Sequence, residues 1–166
     1  MQEPVEFALR AAGIGLAATA LGDLWSLLAR RTMNVRSPDW ALVGRWFGHL
    51  AKGTLVHDNI AKSPPVAGER ALGWLGHYAI GVGFATLLLA LWGLEWARSP
   101  TLAPALIIGW ATLAAPFFVM QPAMGSGFAA SRAPDPAAAR RRSLVTHSVF
   151  GLSLYIAAVA AVQIAV

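Results

Sequence analysis

The chain has no cysteine, and of its 166 residues only 13% are charged, about half the share of a soluble domain. Without cysteine there is no disulfide, no thiolate metal site and no iron–sulfur cluster. With so little charge there is too little polar material to coat a water-soluble globule. A composition that is 57% hydrophobic, with a mean hydropathy of +0.56, excludes disorder and a solvated all-β or Rossmann domain. No serine sits in a nucleophile elbow, no glycine-rich phosphate loop is present, and no pair of histidines carries the His-Glu-x-x-His spacing of a zinc protease.

Long apolar runs fill the space these absences leave. A membrane-spanning helix needs about 20 mostly apolar residues, and four segments reach that length: 8–29, 72–94, 102–121 and 144–166. The expected fold is all-α, an integral membrane four-helix bundle forming one transmembrane domain over residues 1–166. Glu3 and Glu6 replace the basic start of a secretory signal, so the first span reads as retained. Only seven residues part Leu94 from Leu102, which predicts a tight antiparallel hairpin of spans two and three. Between spans one and two, Trp40, Val43, Phe47 and Leu50 recur every three or four residues. That period predicts an additional amphipathic helix over residues 39–57, capped by Asp39. With Arg45, His49 and Lys52 in it, this helix is too polar to span. It is expected to lie in the interface, with a re-entrant path as the alternative. Residues 122–143, rich in Ala, Gly, Ser and Pro, read as an irregular loop.

Lys and Arg are unevenly shared. The connections 30–71 and 122–143 hold eleven of the thirteen basic residues, among them Arg30, Arg31, Arg36, Arg132 and Arg140 to Arg142. By the positive-inside bias both connections face the cytoplasm and both termini the periplasm. The +5 net charge is therefore a topology signal, and nucleic acid is not an expected partner; the bilayer is, with a homo-oligomer or a larger membrane partner beside it.

Ionisable residues inside a bilayer are costly and usually functional. On this topology Asp23, His77 and His147 all fall in the cytoplasmic half, within roughly 9 Å of its edge at 1.5 Å per residue, and His49 and His57 approach the same layer. Residues 46–53, WFGHLAKG, and 74–81, WLGHYAIG, share Trp, Gly, His, Ala and Gly. His49, His77 and His147 are each followed four residues later by glycine: Gly53, Gly81 and Gly151. On a helix that step leaves a notch beside the imidazole, where a flat macrocycle or a neighbouring helix backbone fits.

These residues predict a pocket for a metal ion or haem. His77 and His147 are its expected ligands, His49 and His57 further ones, and Asp23 orients or ligates. Trp46 and Trp74 flank it, with iron, copper or zinc as the metal; Met120 and Met124 would add thioethers for copper. Two other classes compete. A proton-linked transporter working as an oligomer would use Asp23 beside a histidine and a break between Pro116 and Pro122. An accessory subunit would use its small-residue faces, such as Gly15, Ala18 and Gly22, only for packing. Whether the chain is an enzyme is left open, with a His–Asp base at headgroup level as the enzymatic version.

The stretches Asp23-Leu24-Trp25, Val43 to His49, Gly73 to Tyr78, Met120-Gln121-Pro122 with Gly125 and Gly127, and His147 with Phe150-Gly151 resemble a family of small four-span bacterial inner-membrane proteins of unknown function. The resemblance covers residues 20–155 or so. It implies an inner-membrane location and supplies no activity.

Overall fold

The computed structural model describes residues 2–33 and 38–164; Arg36 of the first basic connection and the end of the fourth span lie outside them. In chain order the helices are α1 (Glu3–Met33), α2 (Trp40–Leu50), α3 (Glu69–Arg98), α4 (Leu102–Ala111), the single turn α5 (Gln121–Ala123) and α6 (Pro136–Ile164). Short 3₁₀ turns occupy Ile60–Lys62 and Phe128–Ala130, and a π-helical stretch covers Ala115–Met120. The fold is all-α, with no strand among the described residues. Four stretches are long and apolar enough to cross a membrane: Glu3–Met33, Glu69–Arg98, Leu102–Ala123 and Pro136–Gln163.

Among the differences from expectation, three have a local reason. Helix α2 stops at Leu50, not residue 57. The His49 carbonyl accepts from both Lys52 and Thr54, and Gly53 takes a φ of 85°, a left-handed value that favours glycine. Helix α6 starts eight residues before the expected 144, so Arg140 to Arg142 are helical and not part of a loop. Asp135 caps it, its Oδ1 accepting the Ala138 N–H at 2.9 Å, and Pro136 supplies the fixed φ suited to a first helical position. The third span is not one α-helix. Pro116 and Pro122 have no N–H to give, and the Gln121 N–H reaches back five residues to the Pro116 carbonyl, which widens the turn.

The described residues divide into two compact units. The first takes in α1, Tyr78–Ala111 and α6 from Thr146 onward. Its core is a layer of Ile14, Ala18, Leu88, Leu89, Ile108 and Leu154, each at most 2% exposed. Lipid tails are as apolar as leucine, so burial alone does not drive such helices together; close packing does. Glycine provides it. Gly15 of α1 lies against the Val82 backbone of α3, the Thr19 hydroxyl fills the notch at Gly81, and Gly109 of α4 meets His147 and Gly151 of α6. At one end Glu6 accepts from Arg10 and Arg98, and Arg10 also donates to the Ala97 carbonyl.

The second unit comprises residues 38–77 and 112–145. Here α2 crosses the first turns of α3 so closely that a Cβ on Gly44 would run into the Glu69 carbonyl, and one on Gly73 into the Trp40 carbonyl. Gly48 meets Val66 and Gly76 meets Phe47. The apolar face of α2 is therefore spent on α3, with Val43 buried. Beyond α2 the chain runs back along residues 123–125. His57 N–H donates to the Ala123 carbonyl at 2.8 Å, and Ile60 N–H to Met124 at 3.2 Å. Gly125, at φ 94°, lies against the Asp58 carbonyl where no side chain fits.

Candidate functional site

Three buried side-chain polar atoms have no hydrogen-bond partner among the described residues: His57 Nδ1, His57 Nε2 and Gln121 Oε1. All three belong to the second unit, on the two segments that the His57–Ala123 bond joins. Buried polar groups without partners cost about 1–3 kcal/mol each, so folds keep few of them without a use. Beside His57 stands His49. The ring centroids are 5.0 Å apart and the planes 74° apart, edge to face.

The surroundings fix this pair from several directions. His49 Nε2 lies 2.9 Å from the Pro64 carbonyl. A carbonyl only accepts, so Nε2 carries the proton and donates, and Nδ1 of the neutral ring holds the lone pair. That is how a metal-ligating histidine is commonly oriented. The Trp46 indole N–H donates to the Leu55 carbonyl at 3.0 Å, pinning the segment that leads into His57. Trp46, Ile60 and Ala123 form a small buried cluster with Met120 and Met124 packed on it.

Arg45 sets the course of the chain between the two histidines and α3. Its Nε and Nη2 form a fork on the Glu69 carboxylate, each at 2.8 Å. Its Nη1 reaches the carbonyls of Ile60, Ala61 and Ser63 at 3.1–3.4 Å. Glu69 also accepts the Val66 N–H at 2.9 Å. The bonds to Glu69 hold the Arg45 guanidinium above its ordinary pKa despite partial desolvation. The residues from 60 to 66, with Pro64 among them, are thereby clasped.

The other expected site residues have contacts of their own. His77, in the second unit, stacks on Trp40 at 3.9 Å and meets Trp74 edge-on at 5.8 Å. In the first unit, Asp23 accepts from the Tyr78 hydroxyl at 3.0 Å, and His147 Nδ1 donates to the Gly109 carbonyl at 3.1 Å. Among the described residues no three His, Cys, Asp or Glu side chains gather as a metal site. The glycine notches have other occupants: Thr19 fills the one at Gly81, and the Ala105–Leu106 backbone of α4 the one at Gly151. Gly53 lies outside α2 and opens on no neighbour. Sequence reasoning missed Pro64, Tyr78 and Glu69 as partners; Pro64 acts only through a main-chain carbonyl, which leaves no mark in the residue pattern.

Four helices able to cross a bilayer, joined by polar connections, define a multi-pass helical membrane protein. The chain matches, over residues 12–161, the family described as a protein of unknown function, DUF2938, and belongs to that family. No curated protein and no solved structure matches it.

Proposed function

We propose that the protein binds a transition-metal ion between His49 and His57, at the polar end of a multi-pass protein of the bacterial inner membrane. The observation that carries this reading is the His57 imidazole, with both nitrogens buried and unpaired, 5.0 Å from a second imidazole whose Nε2 is already committed to a carbonyl. Metal–nitrogen bonds of about 2.0–2.1 Å from each ring at a tetrahedral angle span roughly that separation. Trans ligation across a macrocycle needs the rings farther apart, so an ion fits this pair better than haem. The Gln121 carbonyl oxygen and the thioethers of Met120 and Met124 are the other candidate donors of this unit, and they favour zinc or copper over harder ions. The positive-inside bias of the basic connections supports a cytoplasmic side for the pair and periplasmic termini.

The test is calorimetric titration of the detergent-purified full chain with Zn²⁺ and, under reductant, Cu⁺. One ion per chain is expected. His49→Ala and His57→Ala each weaken binding by roughly tenfold or more, while His147→Ala leaves it unchanged. Affinity falls as the pH drops, because protons compete for the imidazoles. Absence of binding, or binding indifferent to both histidines, overturns the reading. A Soret band lost on His77→Ala or His147→Ala would instead favour haem.

One observation favours a second reading, a proton-linked carrier working as an oligomer. The third span is broken by the π-helical stretch Ala115–Met120, which contains Pro116 and is followed by Pro122, as in carriers whose sites lie at interrupted helices. Proton-coupled flux in reconstituted vesicles, abolished by Asp23→Asn, distinguishes it from simple metal binding.

A further inference from the structure

Large apolar side chains face outward on the second unit at positions that belong to no span. Leu55 is 59% exposed, Val56 69% and Phe128 64%. Leu55 and Val56 sit on the irregular segment after α2, and Phe128 opens the 3₁₀ turn Phe128–Ala130. Adjacent apolar residues on a connecting loop are unfavourable in water, where loops are ordinarily polar. The main chain here also differs from that of a solvated loop. The Leu55 carbonyl accepts from Trp46, the His57 N–H is given to Ala123, and the Ala129 carbonyl accepts from Arg140. Irregular backbone near hydrocarbon is tolerated when its polar groups are satisfied from within the protein. Charge points the same way. Segments 51–68 and 124–143 carry the basic residues Lys52, Lys62, Arg132 and Arg140 to Arg142, against the acidic residues Asp58 and Asp135. Basic residues beside inserted apolar ones suit the headgroup layer of an anionic leaflet.

We propose that the two long connections dock on an anionic membrane surface, with Leu55, Val56 and Phe128 inserted below the phosphates and the arginines and lysines at them. The occupant of this apolar surface is lipid. Val56 is followed directly by His57, so the depth of this insertion sets the depth of the imidazole, whether or not that imidazole takes a metal.

The natural chain has no cysteine, so each introduced one carries the only label. Leu55→Cys, Val56→Cys and Phe128→Cys, with Lys52→Cys and Arg141→Cys as polar references, are spin-labelled and placed in nanodiscs of phosphatidylcholine with or without phosphatidylglycerol. Power saturation then compares collisions with oxygen, which concentrates in hydrocarbon, and with a water-soluble nickel chelate. At the three apolar positions oxygen is expected to dominate, and at the two references nickel, with the contrast growing when phosphatidylglycerol is present. Helix content and thermal midpoint of each variant check folding, and Val56 stands in for Leu55 if either variant fails. Dominance of nickel at all three positions puts the loops in water and overturns the proposal. Low access to both reagents means that a protein surface, a second copy or another chain, covers them, and overturns it equally. Indifference to phosphatidylglycerol overturns the anionic part.

Discussion

The two units hold helices together by different means. The first relies mostly on fit, with long helices meeting at Gly15, Gly81, Gly109 and Gly151 over an aliphatic core, and ion pairs of Glu6 with Arg10 and Arg98 at one end. The second adds fasteners: the Arg45–Glu69 fork, the Trp46–Leu55 bond, the Asp39 cap and the pairing of His57 and Ile60 with residues 123–124. Its helices are shorter and more often broken. The contrast teaches that a buried side chain is left unpaired where helical regularity has been given up: an irregular path brings His57 beside His49 of α2 and leaves its nitrogens without partners.

The largest expected effect sharpens the role of close approach. Gly44→Leu drives a side chain into the Glu69 carbonyl and the Gly73 amide, backbone atoms that cannot step aside. Loss of the folded second unit is expected, read as a collapse of the detergent melting curve. Gly13→Ala on α1, where nothing lies within 4 Å, is expected to be neutral or to stabilise by up to about 1 kcal/mol. If the two variants melt alike, the glycines are not there for contact.

Arg45→Ala comes next. It removes the fork on Glu69 and three carbonyl contacts at once, and should lower the thermal midpoint and weaken the proposed metal binding together. Arg45→Lys should restore part of the stability but not the two-pronged geometry. The guanidinium is held above its ordinary pKa, chiefly by its hydrogen bonds to Glu69. A cation raised in the folded state contributes below its unfolded value and loses the contribution only above it. Alkaline pH up to about 10 should therefore leave this clasp untouched, and a midpoint that falls between neutral pH and that limit counts against it. The smallest effect is Asp135→Ala at the α6 cap, worth about 1 kcal/mol, with fraying of the first turn visible as faster amide exchange at Ala138 and Ala139.

Much of this fold is legible in the sequence, because a bilayer imposes a length and a hydropathy that can be counted. Four spans, the tight hairpin and the Asp39 cap come from such counting. The early start of α6 was also legible, since Asp135-Pro136 is a cap followed by a first-turn proline, yet the Ala- and Pro-rich composition around it reads as loop. The end of α2 is marked locally by Gly53, but the course of the chain beyond it was not legible: it depends on main-chain pairing of His57 and Ile60 with Ala123 and Met124, some sixty-five positions away. The candidate site was half legible. Histidines announce themselves, but which two meet is decided by that same pairing and by a proline carbonyl. The WxGH repeat has a packing explanation, in that Gly48 and Gly76 meet Val66 and Phe47.

The wide turn at Ala115–Met120 also acts as a phase shift. One residue beyond the α-helical count rotates the downstream residues by about 100°, so Gln121 and Met124 stand on a different side from the one an uninterrupted helix would give them. Deleting a single residue from that stretch would rewind the register, redirecting the amide and the thioether without altering either.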